Sequence, residues 1–143
     1  FMKEKERAVA RALERVYPQL GILVEPKDKY SPFDFECNQY IIEVKCRSKF
    51  YDPWFIEMIK YDSNMDLSEA KSKDFLFLTE VGGNAYVYNI TKMTKDKFPF
   101  DWIIKDLPNS TEFNKPNWSG KAIGYLPVNK SKKVKLWNPR TEA

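Results

Sequence analysis

The chain has 143 residues, of which 43% are hydrophobic, 15% aromatic and 31% charged. That length carries one domain and that composition supports a packed core, which excludes disorder, collagen-like repeats and coiled coil as the main state. The formal net charge is +4 and there is no histidine, which removes Ser-His-Asp and Cys-His nucleophilic sites, His-ligated zinc and imidazole bases.

From about Met2 to Val16 the sequence predicts an amphipathic helix. Val9, Leu13, Val16 and Leu20 recur at helical spacing, and Pro18 and Gly21 close the element. Ile22–Glu25 reads as a short strand ending at Pro26. Two apolar-rich runs follow, Pro32–Cys37 and Tyr40–Arg47, separated only by Asn38-Gln39, a spacing that predicts a tight hairpin. Asp52-Pro53 reads as an N-cap and first helical residue, opening a helix through Trp54, Ile56 and Ile59. Asp74–Glu80 and Ala85–Ile90 predict strands joined through Gly82-Gly83-Asn84. Beyond Thr91, Lys92–Leu107 is expected to be partly helical, with strands at Ala122–Val128 and Lys133–Trp137. The order gives a single α/β domain with a mixed sheet, residues 1–90 as its core and residues 91–143 as a basic extension.

Several classes fall away on the same reading. Cys37 and Cys46 lack CxxC spacing and cannot complete a zinc site; they are expected to be buried, unpaired thiols. No apolar run approaches the roughly 18 residues that span a bilayer, and no signal peptide is recognised. An intracellular, cytoplasmic protein without membrane contact is expected, with Phe1 ahead of Met2 set aside. With five glycines and neither a GxGxxG nor a P-loop pattern, nucleotide-cradling loops are disfavoured.

Charge is unevenly distributed. From Phe113 to Thr141 there are seven basic residues (Lys115, Lys121, Lys130, Lys132, Lys133, Lys135 and Arg140) and no acidic one, leaving 17 basic against 20 acidic elsewhere. Such asymmetry points to a polyanionic partner. A solvated basic edge strand that resists aggregation is the plainer reading.

If Asn38-Gln39 is the turn, Asp34 faces Glu43, and strand alternation puts Asp34, Glu43 and Lys45 on one face. Phe33, Phe35, Ile42, Val44 and Cys46 then share the other, which pins the register. Two carboxylates about 4 Å apart repel by roughly 4 kcal/mol at an effective dielectric near 20. A divalent cation would reconcile them, and oxygen donors select Mg²⁺, with Mn²⁺ able to substitute. Asp34 and Glu43 are therefore candidate metal ligands, with the Val44 carbonyl as a third oxygen and Lys45 as the group that assists the attacking water. A surface hairpin with an Asp34–Lys45 salt bridge is the plain alternative. On the first helix, Glu6 lies roughly 50° from the centre of the apolar stripe, against about 130° for Glu14 and 150° for Glu4. It is either a further acid for the site or a first-turn residue that complements the helix dipole.

Glu-x-Lys occurs at Glu25, Glu43 and Glu69, but only Glu43-Val44-Lys45 lies in an apolar strand just after an aspartate-bearing one. Pro32-Phe33-Asp34, eight residues, then Glu43-Val44-Lys45 resembles the signature of the PD-(D/E)XK nuclease superfamily, with Phe33 as an insertion between proline and aspartate. Met2–Val16, with Glu6-Arg7 leading into the stripe, is similar to the first helix of archaeal Holliday-junction resolvases and related phage nucleases, whose early glutamate assists the metal site. The resemblance covers roughly Lys3 to Ile90. It implies a restriction-endonuclease-like fold, a mixed central sheet flanked by helices with extra C-terminal strands, and Glu6 as a catalytic acid. It also implies a Mg²⁺-dependent deoxyribonuclease of phage, recombination or repair type, and homodimers are common among such small enzymes.

On that reading Arg47, Lys49, Lys60, Lys130, Lys132, Lys133 and Lys135 grip DNA phosphates. Trp118, Tyr125 and Trp137 either stack on unpaired bases or belong to the core. A nucleic-acid-binding module that keeps the nuclease fold without turnover is the alternative, and a protein-docking role for the C-terminal region is a third.

Overall fold

The computed structural model describes residues 2–108 and 118–139. Lys115 and Arg140, counted above among the basic residues, and the ring of Trp118 lie outside the described residues.

The first helix, α1 (Met2–Val16), buries Val9, Ala10, Ala12 and Leu13, while Val16 turns outward at 41% exposure. Two of its polar residues clamp the chain that follows. Arg11 donates to the Leu23 carbonyl at 2.7 Å, and Glu14 accepts the Leu23 N–H at 2.7 Å. The strand expected at Ile22–Glu25 is reduced to a single bridge between Val24 and Glu36, because Leu23 is committed to the helix.

Five strands form the central sheet in the order β1 (Phe35–Glu36), β2 (Tyr40–Cys46), β4 (Asp74–Val81), β5 (Asn84–Asn89), β8 (Lys132–Lys135). β2 and β4 run parallel and every other pair is antiparallel, so the sheet is mixed. Both faces of β2 and β4 are covered, which is why each reads as a nearly continuous apolar run. On one face Ile42, Val44, Cys46 and Leu78 pack beneath α1. On the other, Ile41, Phe75, Phe77 and Tyr88 pack against Trp54, Ile56 and Leu126 and the partly buried Tyr61 and Met65.

The helix expected from Asp52-Pro53 begins later. Trp54–Glu57 is a strand, β3, and the helix α2 spans Met58–Lys71. Trp54 and Ile56 are buried while Phe55 and Glu57 are half-buried, a period of two rather than 3.6, and the aromatic and β-branched residues fit a pleated surface. β3 pairs with β7 (Trp118–Leu126), which pairs with β6 (Ile103–Pro108), giving a second, three-stranded antiparallel sheet. Of the stretch expected to be partly helical, Lys92–Leu107, only the part within α3 (Ile90–Lys95) is helix, and residues 96–102 form a turn and loop that lead into the strand β6. The molecule is thus an α/β domain with one mixed and one antiparallel sheet, in which the C-terminal strands serve both. No helix among the described residues is long and apolar enough to cross a membrane.

Gly82 and Gly83 make the β4–β5 turn with φ of 59° and 86°. A Cβ on Gly83 would stand 2.3 Å from the Trp137 carbonyl oxygen, so only glycine lets the C-terminal chain close over this turn.

Tyr88 joins the two sheets. It is wholly buried on β5, and its hydroxyl lies 3.0 Å from the Leu126 carbonyl at the end of β7. Tyr88→Phe leaves that carbonyl without its donor and is expected to lower unfolding free energy by about 1–3 kcal/mol in denaturant titration. An unchanged midpoint would show that this bond does not tie the sheets.

Candidate active site

The hairpin register matches the sequence reading as far as the turn: Phe35 faces Ile42, Glu36 faces Ile41, and the Cys37 N–H reaches the Tyr40 carbonyl at 3.0 Å. It changes at Asp34. The Asp34 N–H bonds to the Ile42 carbonyl at 2.9 Å, the residue Phe35 already faces, so two residues oppose one in a β-bulge. Two expectations are corrected by this extra residue. Phe33 does not share the face of Phe35, Ile42, Val44 and Cys46 but packs on the opposite side with Ile41 and Phe75. Asp34 is moved out of the position directly across from Glu43.

The Asp34 side chain instead closes the edge of β2. Its Oδ2 accepts the Val44 N–H at 2.7 Å, where β1 has stopped supplying backbone partners. The approach to the bulge is fixed from α2, whose buried Asn64 donates to the Pro32 carbonyl at 3.1 Å. The Val44 carbonyl lies on the same strand edge as its N–H.

Glu43 is buried at 3% exposure. Lys60 Nζ lies 3.6 Å and Lys45 Nζ 4.0 Å from its Oε1, while its Oε2 is buried without a hydrogen-bond partner among the described residues. Burial pushes the Glu43 carboxyl up to about 7; Lys45 and Lys60 pull it down, and the charges of Asp34 and Glu57 add to the rise. Glu6 reaches the same region from α1. Its carboxyl is raised by burial and then by Asp34, against the opposing pull of Lys3 and Lys45. Lys3 stands among three acids, 3.6 Å from Glu6, 3.5 Å from Glu25 and 4.0 Å from Asp34.

Asp34, Glu43, Lys45 and Glu6 are therefore brought into one electrostatic cluster at the open edge of β2. Lys60, expected as a phosphate grip, is a partner of Glu43. Lys3 was missed, since nothing in its local sequence sets it apart from Lys5. The cation beside Asp34 is Lys3, in place of the Asp34–Lys45 bridge of the plain alternative. Among the described residues no three His, Cys, Asp or Glu side chains converge closely enough to hold a metal ion. The donor set nonetheless suits a hard divalent cation in kind: a strand-edge carbonyl and three carboxylates, one of which, Glu43, has a buried oxygen without a partner among the described residues.

Other candidates lie elsewhere. Arg47 directly follows β2, and Lys49 is exposed in the same loop. Lys130, Lys132, Lys133 and Lys135 lie at and beside β8, the edge strand three strand spacings from β2, roughly 14 Å. Glu36 is held by Lys73 at 2.7 Å and Lys71 at 3.1 Å, and those bonds keep its carboxyl below the usual range. Cys37 and Cys46 are buried and unpaired. Burial and the neighbouring Glu80 push the Cys46 thiol up to about 12, so it is no nucleophile. Glu80, which the sequence left without a role, is buried and accepts the Gly83 N–H at 3.0 Å.

Because the folded carboxyl of Glu43 titrates above its unfolded value of 4.5, the folded state keeps its proton longer, and stability falls as pH rises from 4.5 through about 7. The loss is on the order of 3 kcal/mol over that window. In chelator, Glu43→Gln is expected to lack this decline and to be more stable than wild type at pH 8 by denaturant titration. Parallel pH profiles would contradict the burial of the charge. Compared with protein-family models and with curated protein sequences, the chain matches none.

Proposed function

We propose that this chain is a metal-dependent nuclease of restriction-endonuclease-like fold that hydrolyses phosphodiester bonds in DNA. The observation that carries the reading is Glu43, a buried carboxylate with an unpartnered oxygen, set in the same charged cluster as Asp34, Glu6 and Lys45. Asp34, Glu43, Glu6 and the Val44 carbonyl are the groups that would hold Mg²⁺ or Mn²⁺. When bound, such an ion supplies Lewis-acid stabilisation of charge developing on the phosphate.

The chain's own residues do the rest. Asp34 is fixed by its bond to the Val44 N–H, so its second oxygen is presented at the strand edge. Lys45, two residues after Glu43 on β2, orients the attacking water or stabilises the negative charge that develops on the phosphorane oxygens. Lys60 keeps part of the Glu43 charge balanced when the site is empty of substrate. Basic side chains beyond the site, including Lys49 and the β8 lysines, would add salt-sensitive and sequence-neutral affinity for DNA. A homodimer would let both strands be cut.

A second reading has its own observation. Lys3, Lys45 and Lys60 already stand beside the acids, an arrangement that also suits a nucleic-acid-binding module without turnover.

A cleavage panel of single-stranded, duplex, flapped and four-way DNA decides between them. With Mg²⁺ or Mn²⁺, wild type is expected to cut at least one form and to stop in EDTA. Lys45→Ala and Asp34→Asn are each expected to lose about 100-fold or more in rate. Failure to cut any form, or a Lys45→Ala variant that cuts as well as wild type, would exclude hydrolysis at this site.

A further inference from the structure

A cleft of about 810 Å³ opens at the end of β2 and β4, lined by Lys5, Arg11 and Arg15 of α1, Arg47, Glu80 and Trp137. Its volume lies within the ~300–1,000 Å³ of small-ligand clefts. Four of the six are cationic. Lys5 and Arg15 are exposed, and no acid pairs with them or with Arg47 among the described residues. Arg11 is held by Glu14 at 3.0 Å and by the Leu23 carbonyl, so it contributes field more than reach. The one acid, Glu80, is buried and turned to the Gly83 N–H, and its carbonyl takes the Arg47 N–H at 2.8 Å. An anion entering the cleft therefore meets unpaired cations above a satisfied acid.

Trp137 adds a second kind of contact. Its backbone is docked on the β4–β5 turn, with the Leu136 N–H 2.8 Å from the Gly83 carbonyl, and the indole forms part of the wall. A half-buried indole among unpaired basic groups offers a stacking face beside phosphate contacts. A base inside a duplex presents no free face to it; an unpaired base does. The cleft adjoins the candidate active site, since Lys5 precedes Glu6 and Arg47 follows Lys45 by two residues.

We infer that this cleft seats an unpaired nucleic-acid strand, with backbone phosphates on Lys5, Arg15 and Arg47 and a base against Trp137. The inference deepens the nuclease reading by giving the strand's path over α1, and it rests on that reading only for what happens after binding. The test is fluorescence anisotropy in EDTA, so that nothing is cut, with a labelled single-stranded DNA dodecamer, its duplex and an abasic dodecamer. Wild type is expected to bind the single strand more tightly than either of the others. Lys5→Glu/Arg15→Glu is expected to weaken single-strand binding about tenfold or more, and to flatten the salt slope by about 1.4, as loss of two phosphate contacts requires. The charge-matched pair Lys92→Glu/Lys95→Glu on α3 is expected to cost less than about threefold. Equal losses in the two pairs, or tighter binding of the duplex or the abasic strand, would overturn the assignment. If wild type cuts DNA yet the α1 pair binds normally, the cleft assignment fails and hydrolysis stands. If the α1 pair alone loses binding and no form is ever cut, the cleft stands and hydrolysis fails.

Discussion

Burying Glu43 at 3% exposure with one oxygen unpaired is costly, and much of the hairpin's surroundings can be understood from that cost. The residue cannot escape, because β2 is paired with β4 along its whole length and its flanking residues Ile42 and Val44 are core. Lys45 and Lys60 approach to 4.0 and 3.6 Å, close enough to soften the penalty and too far to satisfy it with hydrogen bonds. The hairpin thus holds a carboxyl whose ionisation is sensitive to any cation brought near it.

The rest of the fold brings charged groups to that place from two sides. α1 lies over one face of the sheet and delivers Glu6 and Lys3 at its first turns. α2 lies over the other and delivers Lys60, together with Asn64, which fixes the chain just before the bulge. The bulge at Asp34 is the junction, since it lets one carboxylate leave the simple alternation and cap the strand edge through Val44. With a continuous ladder there, Phe33 would lose its place among the aromatic residues under α2 and Asp34 its bond to Val44.

How much of this was legible in the sequence follows from the range of each interaction. The Asn38-Gln39 turn and the pairs beside it were readable because they depend on a few adjacent residues. The bulge was not, because strict alternation carries no mark of an extra residue until packing chooses a side for Phe33. Trp54–Glu57 reads locally as a helix start because Asp52-Pro53 imitates a cap, although Trp54 and Ile56 alternate with less buried neighbours. The strand is selected by β7, some seventy residues away, which local propensity cannot register. The acids and Lys45 came from spacing on one hairpin, whereas Lys3 and Lys60 reach the cluster only through the docking of two helices.

The central claim is that Asp34 and Glu43 form a seat for a divalent cation rather than a set of ion pairs with lysine. Calorimetric titration of Mn²⁺ into wild type and Asp34→Asn at pH 8 tests it most directly, with circular dichroism confirming that the variant is folded. Saturable heat from wild type that the variant loses is the predicted result. Identical heats from the two proteins, or none from either, would contradict the claim.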